Sequence, residues 1–193
     1  RNIRKLPAAH RMVCEADGNP RIERYWSPLD GSNWGDESRE EEYVERVRQL
    51  LTAAVKKRLM SDVPIGAFLS GGIDSGSITA MAGRNFSNLK TFTCGFDLHS
   101  ASGLEMSFDE RSAAELMSYK FGTEHYEMVL KAGDMERCLP KVVSHIEEPR
   151  VGQSYPNYYV AQLASKFVTV VLSGARGDGL FGGYPWRYYR ATA

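Results

Sequence analysis

Residues 65–83 read IGAFLSGGIDSGSITAMAG: a short apolar run, paired glycines at 71 and 72, then a helical pattern carried by Ile78, Met81 and Ala82. Strand, glycine turn and helix in direct succession is one β-α unit. Three further runs rich in β-formers follow, TFTCGF (91–96), HYEMVL (125–130) and VTVVLS (168–173), each separated from the next by helix signals. Ser107 with Glu110 forms a capping box ahead of Ala113, Ala114, Leu116, Met117 and Phe121, and Gly122 closes that helix. Asp134 can cap a helix carrying Val142, Val143 and Ile146, and Ser154 with Pro156 can start another through Leu163. Upstream, Ser38 and Glu41 cap a long amphipathic helix with Val44, Val47, Leu51, Ala54 and Val55, which ends before Pro64. Strands joined by helices need right-handed crossovers, so the class is α/β with a parallel sheet and helices on both faces. In such sheets a ligand sits beyond the carboxyl ends of the strands, where strand order reverses.

The 193 residues suit one core with additional pieces, since a domain takes roughly 100–200 residues. Charges balance, 24 Lys and Arg against 24 Asp and Glu, so no excess of positive charge drives binding to nucleic acid or to an anionic membrane. Cys14, Cys94 and Cys138 are widely spaced and form neither a disulfide framework nor a zinc pattern, which fits a reducing, cytoplasmic setting. Apolar runs fall short of the ~20 residues that span a bilayer, and the basic start is broken by Pro7 and His10 before any signal-peptide core. Residues 1–37 are rich in Pro and Gly, with RMVCEA and RIERYW flanking DGNP as a candidate hairpin. This stretch reads as an appendage or the end of a preceding domain.

The chemistry concentrates in two glycine-rich breaks. In SGGIDS (70–75) the glycines expose successive backbone N–H groups, and the following helix start adds positive dipole. That makes an anion cradle. It carries no lysine, unlike a Walker loop, so a divalent cation held by Asp74 is the economical source of neutralising charge. The bland alternative is a plain turn with Asp74 capping the next helix. The second break, LSGARGDGLFGGY (172–184), repeats the Leu-Ser-Gly opening directly after a strand and supplies a second carboxylate, Asp178. Its bland alternative is a tight loop whose aspartate caps a helix.

Together these residues resemble the synthetase domain of glutamine-dependent asparagine synthetases, an adenine nucleotide alpha hydrolase-like, PP-loop ATP pyrophosphatase fold of Rossmann-like form. SGGIDS resembles the pyrophosphatase-loop motif of that family, and LSG with GDGLFGGY its second nucleotide motif. The likeness runs from LPAAH and RYW, similar to the end of a glutaminase domain and its linker, through IEEPRVGQSYPNYY to GGYPWRYYRA. It implies residues 1–37 as the remnant of a glutaminase domain and linker, and 38–193 as an ATP-binding synthetase domain that is C-terminally incomplete. It implies ATP and Mg2+ as cofactors: Leu69 and Cys94 at the adenosine, Ser70, Gly71, Gly72 and Ser75 around the phosphates, Ser173 and Gly174 completing the nucleotide site, and Asp74 and Asp178 on the metal. The implied partners are small molecules: ATP, aspartate or a similar acid, and ammonia derived from glutamine, with the glutaminase domain lying outside this chain and homo-oligomers allowed. The implied reaction is adenylation of the acid's side-chain carboxylate, loss of pyrophosphate, and displacement of AMP by ammonia.

Where the family usually carries Glu or Asp after the second Ser-Gly, this chain has Ala175; where it usually has Gly and Glu, it has Arg176 and Gly179. The catalytic residue is therefore unassigned. Another PP-loop adenylating enzyme and a degenerate nucleotide-binding module are the competing readings. His125, the pair Glu147 and Glu148, and the aromatics Tyr184, Trp186, Tyr188 and Tyr189 read first as structural groups.

Overall fold

The computed structural model describes residues 3–16, 18–27, 30, 39–100, 109–147, 154–175 and 177–183. Ser38, Ser107, Glu148, Arg176 and the aromatic group from Tyr184 lie outside them. Contacts divide the chain into two units, Arg1–Arg46 and Val47–Ala193. The first holds an antiparallel hairpin of β1 (His10–Cys14) and β2 (Pro20–Arg24), registered so that Met12 opposes Ile22. Arg11 bridges to Glu23 across it at 2.9 Å.

Helix α1 (Glu40–Arg58) follows, with three glutamates in its first turn and Lys56, Lys57 and Arg58 in its last. That charge order complements the helix dipole. Then come β3 (Ile65–Phe68), α2 (Ile73–Gly83), β4 (Lys90–Phe96), α3 (Arg111–Phe121), β5 (Glu124–Leu130), α4 (Asp134–Ile146), α5 (Ser154–Ala164), β6 (Val170–Leu172) and α6 (Gly177–Phe181). The strands form one parallel sheet in the order β5-β4-β3-β6. The α/β expectation is met, and every strand run read from the sequence is found. Strand β6 is shorter than the expected run because Val168 is buried in the turn after α5, where its N–H bonds Ala164 O at 3.0 Å.

Strand alternation sends successive side chains to opposite faces. On one face Phe92 packs with Val160, Leu163, Ala164 and Val168, joined by Phe68, Cys94 and Tyr126; this is the α5 side. On the other, Ala67 and Leu89 meet Val55 of α1 and Ala82 of α2. Helices therefore cover both faces.

Two helix starts depart from the sequence reading. At α3 the N-cap is Glu110 with no side-chain capping bond. At α4 the N-cap is Gly133 in the left-handed region, and Asp134 lies in the first turn, its carboxylate accepting from Lys131 N. Gly122 does close α3, at φ 64°, a conformation glycine adopts without a Cβ penalty. Among the described residues no helix is long and apolar enough to cross a membrane.

His125 is structural, as expected. Its Nδ1 sits 2.9 Å from Thr91 Oγ1, in a chain that continues through Thr123 Oγ1 to Ser118 of α3. Its Nε2 is buried without a hydrogen bond, and Glu127 Oε1 is at 3.4 Å. Burial pushes the imidazole below its usual 6.5, against the pull of Glu127 and Glu115 toward the cation. A group whose folded pKa is depressed takes up a proton on unfolding, so its stabilising effect is complete above the unfolded value and is lost as pH falls below about 6.5. Urea unfolding should show stability falling between pH 7.5 and pH 5.5, and His125→Gln should flatten that slope. An unchanged slope would place the acid sensitivity elsewhere.

Candidate functional site

From β3 the chain runs outward through β4 to β5, whereas β6 returns to the opposite side of β3. Strand order therefore reverses between β3 and β6. The two glycine-rich breaks follow those two strands, at their carboxyl ends. Parallel pairing of Ala67 with Leu172 aligns the ends and brings two loops about a hundred residues apart in sequence to one place.

There they border a cavity of about 680 Å³. Of the residues singled out from the sequence, Leu69, Ser70, Gly72, Asp74, Ser75, Cys94, Ser173, Gly174 and Asp178 all line it, as does Ala175. Gly71 does not. It backs onto α3, where a Cβ would meet Ala113 Cβ at 2.7 Å, so its small size serves helix packing rather than the cavity. Several lining residues escaped the sequence reading: Phe68, Phe92 and Phe96 from the strands, Tyr155, Pro156, Asn157 and Val160 from α5, and Glu110 before α3. Strand parity could have found the phenylalanines. Nothing local marked the α5 residues, because their placement depends on how that helix crosses the sheet.

The first loop is self-braced. Ser75 Oγ accepts from Ser70 N at 3.0 Å and lies 2.9 Å from Ser70 Oγ, which in turn accepts from Gly72 N at 3.2 Å. Both hydroxyls thus hold the loop's shape. The second loop bears directly on the first: Gly174 packs so closely that a Cβ would lie 2.6 Å from Ser75 N, and Asp74 Oδ2 accepts from Asp178 N at 2.9 Å. In the second loop Ala175 N donates to Ser173 Oγ at 3.2 Å, and its methyl side chain puts no carboxylate at that position. Gly179 faces open space, where a Cβ would meet nothing within 4 Å.

Beside the first loop, where Glu110 packs against Gly71, the rim is fixed by Asp109 and Arg111. Arg111 Nε and Nη2 bond both Asp109 oxygens, at 2.9 and 2.7 Å, and Nη2 also donates to Phe96 O at 3.0 Å. The guanidinium holds the Asp109 carboxyl below the usual carboxylate range. This bracket seats Glu110 on the cavity wall.

Cys94 Sγ donates to Pro156 O at 3.6 Å, and burial, aided by the Asp109 charge, pushes its thiol up to about 11. Only the thiolate is nucleophilic, so at pH 8 iodoacetamide should modify Cys94 at least about a hundredfold more slowly than the exposed Cys14, read by peptide mass spectrometry. Comparable rates would mean that the pocket wall opens readily.

Chemically, the cavity offers a glycine-rich rim with two half-buried carboxylates at one end and an aromatic and aliphatic wall at the other. That division suits a ligand with an anionic, metal-accompanied end and a flat apolar end. The donor set fits Mg2+, a hard cation bound through one or two carboxylates together with ligand phosphates. Among the described residues no group of three or more His, Cys, Asp or Glu could hold a metal without the ligand's own oxygens.

Known proteins resemble this chain. Glutamine-hydrolysing asparagine synthetase 1 of Bacillus subtilis is 33% identical over 185 residues, covering 95% of this chain and 28% of its own length. The glutamine-hydrolysing asparagine synthetase of Asparagus officinalis is 38% identical over 144 residues, covering 72% of this chain and 24% of its own length. The chain thus spans less than a third of either relative. Among solved structures, NH3-dependent NAD synthetase from Campylobacter jejuni aligns with 75% of this chain and 61% of that one, at TM-score 0.40 and 14% identity. The asparagine synthase family matches residues 46–193, the stretch that builds the whole cavity, and the chain belongs to that family.

Proposed function

We propose that this chain supplies the ATP-binding part of an amide-forming ligase that activates a carboxylic acid, aspartate or a close analogue, as its acyl-adenylate. The observation that carries this reading is the meeting of the SGGIDS and second-loop motifs around one cavity at the strand-order reversal. In this reading residues 38–193 are the synthetase portion and residues 1–37 the end of a glutaminase domain with its linker.

The apolar wall of Leu69 and Cys94, backed by the buried Phe92, takes the adenosine, excluding water from one side. The glycine-rich loops hold the phosphates with backbone N–H groups, and hydrogen bonds to charged oxygens contribute on the order of 1.5–3 kcal/mol each. Asp74 and Asp178 would hold Mg2+, which neutralises charge on the departing pyrophosphate when bound. Fixing the triphosphate in this way leaves the α-phosphorus exposed for in-line approach of the acid's carboxylate oxygen. Pyrophosphate leaves, and ammonia then attacks the acyl carbon and releases AMP. The physical demand is to bring one anion to another, and preorganised donors meet it without rearrangement during reaction.

The test is calorimetric titration of the chain with ATP, with and without Mg2+, followed by an assay of aspartate-dependent pyrophosphate release by the full-length protein. Metal-dependent binding and acid-dependent release are expected. Failure to bind ATP under either condition overturns the reading.

Ala175 favours one second reading, a nucleotide-binding module that has lost its chemistry, because no carboxylate stands at that position on the cavity wall. Ala175→Glu combined with Gly179→Glu in the full-length protein separates the two. A gain in pyrophosphate release marks an impaired enzyme, whereas ATP binding without any gain marks the non-catalytic module.

A further inference from the structure

Asp74 packs against two glycines of the second loop, Gly174 and Gly177, and is also a cavity-lining carboxylate. Its Oδ2 accepts from Asp178 N at 2.9 Å, a bond spanning the two motifs. A Cβ placed on Gly177 would fall 2.0 Å from that same Oδ2, 2.2 Å from Cγ and 2.5 Å from Oδ1. The carboxylate, the free end of its side chain, therefore rests directly against Gly177. A Cβ on Gly174 would lie 2.9 Å from the Asp74 carbonyl carbon and 3.0 Å from Asp74 Cβ, so the loop rests against the residue from both sides. The Asp178 N–H belongs to the first turn of α6, where backbone donors have no partner within the helix. Asp74 satisfies it from another helix altogether.

We propose that Asp74 is a positioning residue for the second loop: its carboxylate is the strut on which Gly174, Gly177 and Asp178 are set. The inference rests on the proposed nucleotide site for its functional consequence, but the strut exists without nucleotide or metal. It makes the two loops one unit. One Asp74 oxygen is engaged with the Asp178 amide, and the other is left for a cation. The same contact fixes the Asp178 backbone, while its carboxylate lies against Gly183. Loss of the Asp74 side chain disorganises the partner aspartate as well as removing a charge.

Backbone amide hydrogen exchange of the full chain, free of ATP and metal, tests this directly. Asp74→Ala should speed exchange in residues 174–183 by about tenfold or more, the effect of removing a charge-assisted bond, with the buried amides of β4 still protected. Asp74→Asn retains an acceptor of the same shape, bonded about half as strongly, and should stay within roughly threefold of the parent. Unchanged exchange in Asp74→Ala overturns the strut. Because no nucleotide is present, that result would leave the ATP-binding reading standing, just as failure of ATP binding would leave the strut intact.

Discussion

Asp74→Asn is expected to weaken Mg2+-dependent ATP binding by about a hundredfold or more, roughly 2.7 kcal/mol, while leaving metal-free nucleotide binding within a few-fold. The substitution keeps the shape of the side chain and an oxygen for the Asp178 amide, but removes the negative charge offered to the cation. Asp74 and Asp178 are the aspartates lining this end of the cavity, and the first loop carries no lysine to substitute for a metal. Loss of the charge therefore leaves the phosphates facing Asp178 with less neutralisation. Paired titrations at fixed ionic strength, with Mg2+ and with a chelator, read the difference between the two affinities. Equal loss under both conditions would mean that the mutation damaged the loop rather than the metal site. Full retention of affinity with Mg2+ would remove Asp74 from the site.

The second large effect is on stability. Phe92→Ala should destabilise the protein by about 3–5 kcal/mol, the range for truncating a fully buried phenylalanine, and lower the melting temperature on the order of 10 °C. Phe92 has no exposed surface, and its ring lies 5.8 Å from both Tyr126 and Phe167. It also meets the bare face of Gly66, where a Cβ would stand 2.7 Å from its ring, so β3 and β4 are packed tightly around it. Leu139→Ala, at a helix position where the leucine is 45% exposed, is the control and should cost much less. Urea unfolding with a constant m-value measures both. A cost below about 1 kcal/mol for Phe92→Ala would show that this cluster relaxes into the cavity beside it rather than holding the sheet to α5.

The two effects fall on different levels of organisation. Phe92 acts through area removed from water and close packing, so its loss is felt in the folded state with or without ligand. Asp74 acts through charge at a cavity wall, so its loss is felt when an anion and a cation are brought there. A variant can be fully folded and unable to bind, or able to bind and barely folded.

Local sequence determined what depends on neighbours along the chain. The run IGAFLS before Gly71 and Gly72, the β-formers at 91–96 and 125–130, and Gly122 at the end of α3 were legible because strand alternation, helix periodicity and a left-handed cap are short-range properties. So was the kinship of the two loops, since both carry the same Leu-Ser-Gly opening followed by an aspartate. Tertiary structure decided what depends on strand pairing and helix crossing. Only the parallel pairing of β3 with β6 carries Asp74 to the Asp178 amide and against Gly177. Gly71, read as part of the anion cradle, proved to be where α3 packs, and Tyr155 and Pro156 entered the cavity wall because α5 lies across the sheet above Phe92. These contacts join residues far apart in the chain, and no periodicity within a helix or strand encodes which distant atoms will meet. That choice is made by burial of the whole sheet at once, when each face must find the helices that exclude water from it.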